Sequence, residues 1–82
     1  FTTIKFELPT QGHITIKVFD VTGRLVKILT DQEQNAGAFS VQWDGTDFLG
    51  KGVAAGIYIY QVEFVNSAGE RFVKSRKMSL VK

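Results

Sequence analysis

Three aspartates in turn-like sequences are the residues best suited by type to bind a ligand. Asp20, Asp44 and Asp47 each stand shortly before a Gly, and Ca²⁺ binds several carboxylate and carbonyl oxygens at about 2.3–2.6 Å. The spacing is not that of a calcium-binding loop, and a short Asp side chain also accepts hydrogen bonds from nearby backbone N–H groups in a turn. We therefore expect these residues to form turns, and the sequence leaves open only a weak calcium site near Asp44 and Asp47.

The remaining polar residues offer no arrangement for catalysis. His13 is the only His, and no Ser or Asp accompanies it in a nucleophile motif. General acid–base chemistry needs carboxylates that converge in a pocket, whereas the eight Asp and Glu residues lie mostly on predicted turns or outward strand faces. The absence of Cys excludes disulfides and thiolate metal sites. The sequence thus indicates a protein that is not an enzyme and needs no cofactor.

Basic residues concentrate at the end of the chain. Half of the ten Lys and Arg residues lie in the last twelve positions, namely Arg71, Lys74, Arg76, Lys77 and Lys82. One interpretation is a solvated strand face whose charges protect a sheet edge from aggregation. The other is recognition, either by an export receptor or by an anionic cell-surface polymer. Nucleic acid is a weaker candidate, because the net charge is only +2 and no aromatic residues interleave an exposed basic strip.

The segment from Phe39 to Phe64 organises the predicted fold, with the plan strand, Gly-rich turn, strand. Before the turn, apolar residues alternate with polar ones up to Trp43, the period of a strand with one face in a core. After the turn, one face carries Tyr58, Tyr60, Val62 and Phe64. Aromatic faces can pack on sugar rings, but this alternation favours core positions for both tyrosines. The residues expected to be buried include Trp43, Tyr60, Ile16 and Phe6.

Alternation also predicts strands over residues 2–8 and 13–19. Residues 24–30, whose apolar positions fit a period of 3.6 about as well as a period of 2, are interpreted as a third strand. The first two are expected to pair with each other, and the polar segment 31–37 is expected to be a surface loop. In the final run, residues 70–82, the apolar positions fall out of phase with one another. This mismatch predicts an irregularity or bulge near Lys74 to Arg76.

Three segments repeat one turn plan, with Asp or Asn at the first position and Gly at the last. They are residues 20–23, 47–50 and 66–69. Gly accepts positive φ without a Cβ clash, so Gly23, Gly50 and Gly69 are expected to have positive φ.

Together these elements predict a single all-β domain over residues 1–82. Six long strands and a short one near Val53 indicate an antiparallel β-sandwich of about seven strands, of immunoglobulin-like or fibronectin III-like type. With 44% hydrophobic and 22% charged residues the composition is ordinary for a globular domain, and no apolar run approaches the roughly 20 residues of a membrane span. Because the chain begins at Phe1 without Met or a signal peptide, we expect it to be a piece of a longer protein.

Four stretches carry a family resemblance that runs through nearly all of the chain. They are Phe19-Asp20-x-x-Gly23, Trp43-Asp44-Gly45, Gly56-Ile57-Tyr58 and the final Lys77-Met78 with Lys82. With these stretches the sequence resembles the C-terminal sorting domains of the type IX secretion system and the similar immunoglobulin-like domain of flagellar hook-capping proteins.

The sorting-domain resemblance implies a non-catalytic signal for secretion and cell-surface sorting that outer-membrane export machinery recognises. A cargo domain would then lie on the N-terminal side. The protein would be secreted or held at the surface, through the periplasm and outer membrane of a Gram-negative bacterium. Together with the basic charge, the resemblance assigns partner recognition to Lys74, Arg76, Lys77, Met78 and Lys82. The alternative is an immunoglobulin-like structural or adhesive module, for example an accessory to a glycan-active enzyme, since fold does not fix function.

Overall fold

The computed structural model describes residues 2–81, whose regular structure is antiparallel β. In chain order the strands are β1 (Thr2–Leu8), β2 (Gly12–Phe19), β3 (Leu25–Gln34), β4 (Gly37–Trp43), β5 (Gly56–Asn66) and β6 (Arg71–Leu80). β1 and β4 form a two-stranded sheet, and the other strands form a four-stranded sheet in the order β3-β2-β5-β6. The predicted all-β immunoglobulin-like sandwich is confirmed. Residues 2–81 form six strands where about seven were expected, and an isolated bridge joins Thr46 to Gly52 near the place of the seventh.

The strand β1 does not pair with β2, so the predicted pairing of these two strands was wrong. β1 pairs with β4, from Thr2 opposite Trp43 to Leu8 opposite Gly37, while β2 lies between β3 and β5. Pro9 has no N–H to donate and follows directly after β1, where the chain leaves for the other sheet. Alternation shows which face of a strand is buried but not which strand lies beside it.

The strand β3 extends into the segment that was predicted to be a loop. It continues to Gln34, because Glu33 pairs across the sheet with His13 of β2. The Nε2 atom of His13 lies 2.5 Å from a carboxylate oxygen of Asp31, and its Nδ1 atom lies 3.7 Å from one of Glu33. These cross-strand contacts hold a polar stretch in the sheet. The prediction of a loop was wrong for residues 31–34.

The predicted bulge in the last strand is also absent. β5 and β6 pair in one continuous register, from Gly56 opposite Leu80 to Val65 opposite Arg71. Register shifts occur instead between β2 and β3, one between Ile16 and Lys17 and one between Val18 and Phe19. The apolar residues of β6 do not alternate strictly because Val73 lies on the outward face, while Lys74 and Arg76 occupy exposed positions on the inward face.

The three repeated turns adopt one backbone geometry. φ is +88° at Gly23, +78° at Gly50 and +81° at Gly69, as predicted. In each turn the Gly N–H donates to the carbonyl oxygen of the first turn residue at 3.0 or 3.1 Å. Two of the turns close the β2–β3 and β5–β6 hairpins, and the third lies in the long connection between β4 and β5.

The core lies between the two sheets and is closed most tightly around Trp43. The side chains with the lowest exposure are those of Ile4, Ile14, Ile16, Val18 and Trp43. The indole of Trp43 meets Tyr58 edge to face with 4.9 Å between ring centroids, and its Nε1 donates to the Thr46 carbonyl oxygen at 2.9 Å. The predicted burial of Trp43 and Ile16 is confirmed. Phe6 and Tyr60 are only half-buried, which corrects the prediction for both.

Replacing Trp43 with Ala is expected to lower the free energy of unfolding by about 3–5 kcal/mol, the range for large aromatic truncations. The change removes the contact with Tyr58 and leaves a cavity at the centre of the core. Urea unfolding followed by circular dichroism measures the loss. Leu49→Ala is the control, because Leu49 is 81% exposed and its loss should cost less than about 0.5 kcal/mol. A cost below about 1 kcal/mol for Trp43→Ala would contradict a fully buried indole.

Candidate interaction surface

The five residues predicted to recognise a partner do not share one face of β6. Lys74, Arg76 and Met78 lie on the inward face, whereas Lys77 lies on the outward face. Lys82 is outside the described residues. The structure therefore brings Lys74 and Arg76 together and separates both from Lys77. A role for these residues in recognition stays a prediction.

The inward-facing side chains of β6 change from exposed at the start of the strand to buried at its end. At its end, Leu80 is buried and Met78 is half-buried against the core. Toward its start, the same row holds Phe72, Lys74 and Arg76, and all three are exposed. Charged residues are tolerated at these inward positions because, within residues 2–81, no strand of the other sheet lies over them.

An open groove lies between β1 and the inward face of β6. On the opposite side of the sandwich, β3 and β4 contact each other and are joined by the short connection at residues 35–36. The groove has a volume of about 570 Å³, and its apolar lining includes Phe6, Tyr60, Val62 and Phe72. Phe72 is 54% exposed, with its ring stacked at 6.3 Å on that of Phe64. We call this surface the β1–β6 groove.

Positive charge dominates the rim of the β1–β6 groove. Lys5, Lys74 and Arg76 line it, together with the single acidic residue Glu7. Within residues 2–81, none of these three cations forms an ion pair. By contrast, Arg71 at the start of β6 is paired with Glu63. The groove therefore presents free cations beside exposed aromatic surface.

The aspartates considered as calcium ligands accept hydrogen bonds within turns. Oδ1 of Asp20 accepts hydrogen bonds from the N–H groups of Thr22 and Arg24 at 3.0 Å and from the Thr22 hydroxyl at 2.6 Å. Asp47 accepts two backbone N–H bonds in the same way, at 2.9 and 3.1 Å. The neutral amide oxygen of Asn66 does so in the third turn. Over the described residues, no group of three or more His, Cys, Asp or Glu is arranged to hold a metal ion.

The same type of hydrogen bond lowers the pKa of two of these carboxyl groups. The pKa of Asp20 lies below its ordinary value chiefly because of the Thr22 hydroxyl, with a backbone N–H next in importance. The pKa of Asp44 is lowered chiefly by the Thr46 hydroxyl, which donates at 2.6 Å. Lys27, with its Nζ atom 3.8 Å from Asp44, adds a smaller attraction. Both carboxylates therefore stabilise local backbone structure in their ionised form.

A second surface, which the sequence interpretation missed, lies at one end of the sandwich. Val21, Phe48 and Leu49 occupy the middle of two repeated turns and are 68%, 59% and 81% exposed. A cleft of about 460 Å³ lies between these turns, with Tyr58 at its inner wall. The sequence does carry a signal for this surface, since the central positions of a tight turn face solvent and apolar residues there have nothing to pack on.

Comparison with known proteins finds similarity to a domain of FlgD proteins. A family model described as the FlgD Ig-like domain matches residues 2–68. The structure of FlgD from P. aeruginosa is similar, with 26% identity and a TM-score of 0.73 over 96% of this chain and 60% of that chain. FlgD from Xanthomonas campestris, whose structure is described in terms of hook capping essential for flagellar assembly, gives 27% identity and a TM-score of 0.74, over 94% of this chain and 56% of that one. No curated protein matches.

These matches correct the type IX interpretation. The sequence resembles both type IX sorting domains and the immunoglobulin-like domain of hook-capping proteins, and the family model that matches is that of the FlgD Ig-like domain. The predicted secretion and cell-surface sorting function was therefore wrong. The expected outer-membrane export partner and secreted or cell-surface location are overturned by the same finding. Trp43 and Gly45 of the Trp43-Asp44-Gly45 motif are buried. This motif is therefore characteristic of the folded scaffold and does not indicate a transport route. The alternative, an immunoglobulin-like structural module, agrees better with the matches.

The matches also bear on the prediction that the module is not an enzyme. Hook capping is a structural role, and the likeness to FlgD proteins agrees with the prediction that the module is not an enzyme. In the part of the chain that the structure describes, no helix is long and apolar enough to cross a membrane.

Asp20→Asn is expected to remove part of the acid sensitivity of folding. A carboxyl group whose pKa is lowered by folding stabilises the native state above its unfolded pKa of about 3.9, and that contribution is lost as pH falls through the folded value. Asn keeps the oxygen acceptor, as Asn66 shows in the third turn. Melting temperatures measured between pH 7 and pH 3 should therefore differ most at neutral pH and converge in acid. A difference between wild type and Asp20→Asn that does not change with pH would contradict this account.

Proposed function

Since the chain belongs to the family of FlgD Ig-like domains, we propose that it is a non-catalytic structural module of a flagellar hook-capping protein. In this role it acts at the hook during flagellar assembly. The observation that carries the proposal is the family match over residues 2–68. The two FlgD structures support it, because their similarity extends over 96% and 94% of this chain.

The physical character of the module suits a structural role. Trp43 of β4 packs against Tyr58 of β5 and so joins the two sheets at one end. The polar groups of both side chains form hydrogen bonds, because the Trp43 indole N–H donates to the Thr46 carbonyl oxygen and the Tyr58 hydroxyl donates to the Ala54 carbonyl oxygen at 2.6 Å. The turn carboxylates are engaged by their own backbone, and His13 by acidic residues of β3. What such a module offers a partner is therefore surface shape and charge.

The chain spans 60% of the P. aeruginosa FlgD chain and 56% of the Xanthomonas campestris one. Hook capping by a whole protein is accordingly proposed for a longer chain, of which residues 1–82 form one β-sandwich module. The partners proposed are the subunits of the hook and its cap. A role for Lys74, Arg76, Lys77, Met78 and Lys82 in recognising a partner stays a prediction.

A domain exchange tests the proposal. In the Xanthomonas campestris FlgD protein, the matching Ig-like region is replaced by residues 1–82 of this chain in a strain that lacks its own FlgD. Hooks and swimming should be restored, because the scaffold is shared along almost the whole module. Hook formation is counted by electron microscopy, and swimming is measured in soft agar.

Two controls make the result of the exchange interpretable. A chimera with Trp43→Ala has a disrupted core and should fail, while one with Leu49→Ala should behave like the parent chimera. Immunoblots show that each protein is present and exported. A parent chimera that is exported and stable but forms no hooks, in a strain that native FlgD restores, would overturn the proposed function.

A further inference from the structure

One edge of β1 is unpaired in the described part of the chain. β1 hydrogen-bonds to β4 on one side, and within residues 2–81 no strand pairs with its other side. An unpaired strand edge presents N–H and C=O groups that can pair with a strand from another chain. This edge lies beside the β1–β6 groove, to which Phe6 and Leu8 contribute lining.

The floor of the groove is built for contact with side chains from above. Tyr60 and Val62 of β5 are half-buried there, and Phe72 of β6 is 54% exposed. A strand added to β1 would extend the two-stranded sheet over this floor, because neighbouring strands in a sheet lie about 4.8 Å apart. Its inward side chains would then cover the aromatic surface that the present two-stranded sheet leaves open.

The charge of the groove indicates the chemistry of the strand that fits. Lys74 and Arg76 are two residues apart on the inward row of β6, and neither has an ion-pair partner in the described part of the chain. Inward side chains of an added strand repeat at the same spacing of about 6.6–6.8 Å for every two residues. Carboxylates at two successive inward positions would therefore meet these two cations, with apolar residues at the positions on either side.

From this geometry we propose that the β1–β6 groove is a strand-addition site for an extended acidic peptide segment of a partner protein. The segment pairs through its backbone with the free edge of β1 and becomes the third strand of the small sheet. Its apolar side chains cover Phe72 and Tyr60, and its carboxylates bind Lys74 and Arg76. This mode is β-augmentation, in which the main chain supplies affinity and alternate side chains supply specificity. The inference does not depend on a role at the flagellar hook.

A designed peptide serves as the probe. Its sequence, of roughly nine residues, is Thr-Val-Thr-Glu-Thr-Glu-Thr-Val-Thr, with an acetylated N-terminus and an amidated C-terminus. In an extended strand, one face of this peptide carries the two Glu carboxylates between two Val side chains. The 82-residue chain, labelled with ¹⁵N, is titrated with it at low ionic strength and followed by NMR. Saturable shifts are expected at β1 amides and at residues 72–76, and they should be weaker at 0.5 M salt, since exposed ion pairs are screened.

Matched variants separate the proposed site from general charge attraction. Lys74→Gln with Arg76→Gln should weaken binding by about tenfold or more, because two charge-assisted contacts are lost. Lys17→Gln with Lys51→Gln removes the same number of cations at positions outside the groove and should leave binding unchanged. The same peptide with N-methyl groups along one backbone edge should not bind, since it cannot pair with β1. Thermal melts confirm that each variant is folded.

Several outcomes would overturn the proposal. Equal weakening by Lys17→Gln with Lys51→Gln and by Lys74→Gln with Arg76→Gln would show that peptide binding depends only on net charge. Binding that survives N-methylation of the backbone, or shifts that spare β1, would exclude strand addition. Concentration-dependent association of the chain in analytical ultracentrifugation, abolished by Phe72→Ser, would assign the groove to a second copy in place of an acidic peptide.

Discussion

The structure depends on a mismatch between its two layers, since a sheet of two strands packs on a sheet of four. Where the layers overlap, the core is closed around Trp43 and Ile16, and the polar atoms of the indole and of Tyr58 find backbone partners. Where they do not overlap, β6 has no strand above it. Its inward row then changes from buried Leu80 to exposed Phe72, with cations between them. The closed end joins the two sheets through the contact of Trp43 with Tyr58, and the open side exposes the β1–β6 groove.

The repeated turns explain why carboxylates in this protein are structural. One oxygen of Asp20 accepts three hydrogen bonds from residues within its own turn, and Asp47 follows the same plan. Asn66 performs the same task without a charge, which shows that the acceptor oxygen and not the negative charge is the common requirement. Asp20 and Asp47 therefore stabilise turns in the described part of the chain.

Local features of the fold could be predicted from the sequence, while features that depend on distant partners could not. Alternation identified most strand residues, and the Asp-x-x-Gly pattern identified the turns with positive φ at Gly23. The partner of β1 and the extension of β3 through Asp31 depend on contacts between segments far apart in the chain. The sequence did not predict the β1–β6 groove, because an apolar residue such as Phe72 is expected in the core unless it is known that no strand covers it. The functional error has a related cause, since the Trp43-Asp44-Gly45 motif describes a scaffold that several kinds of module can share.

The open inward face of β6 can be tested most directly by solvent paramagnetic relaxation in solution. A neutral gadolinium chelate is added to the isotopically labelled chain, and the enhanced relaxation of side-chain protons is measured by NMR. The ring protons of Phe72 should relax strongly, while the indole of Trp43 and the methyl groups of Ile16 should be protected, because only the first lies outside the overlap of the two sheets. Protection of Phe72 equal to that of Ile16 would show that the groove is closed and would contradict the open sandwich.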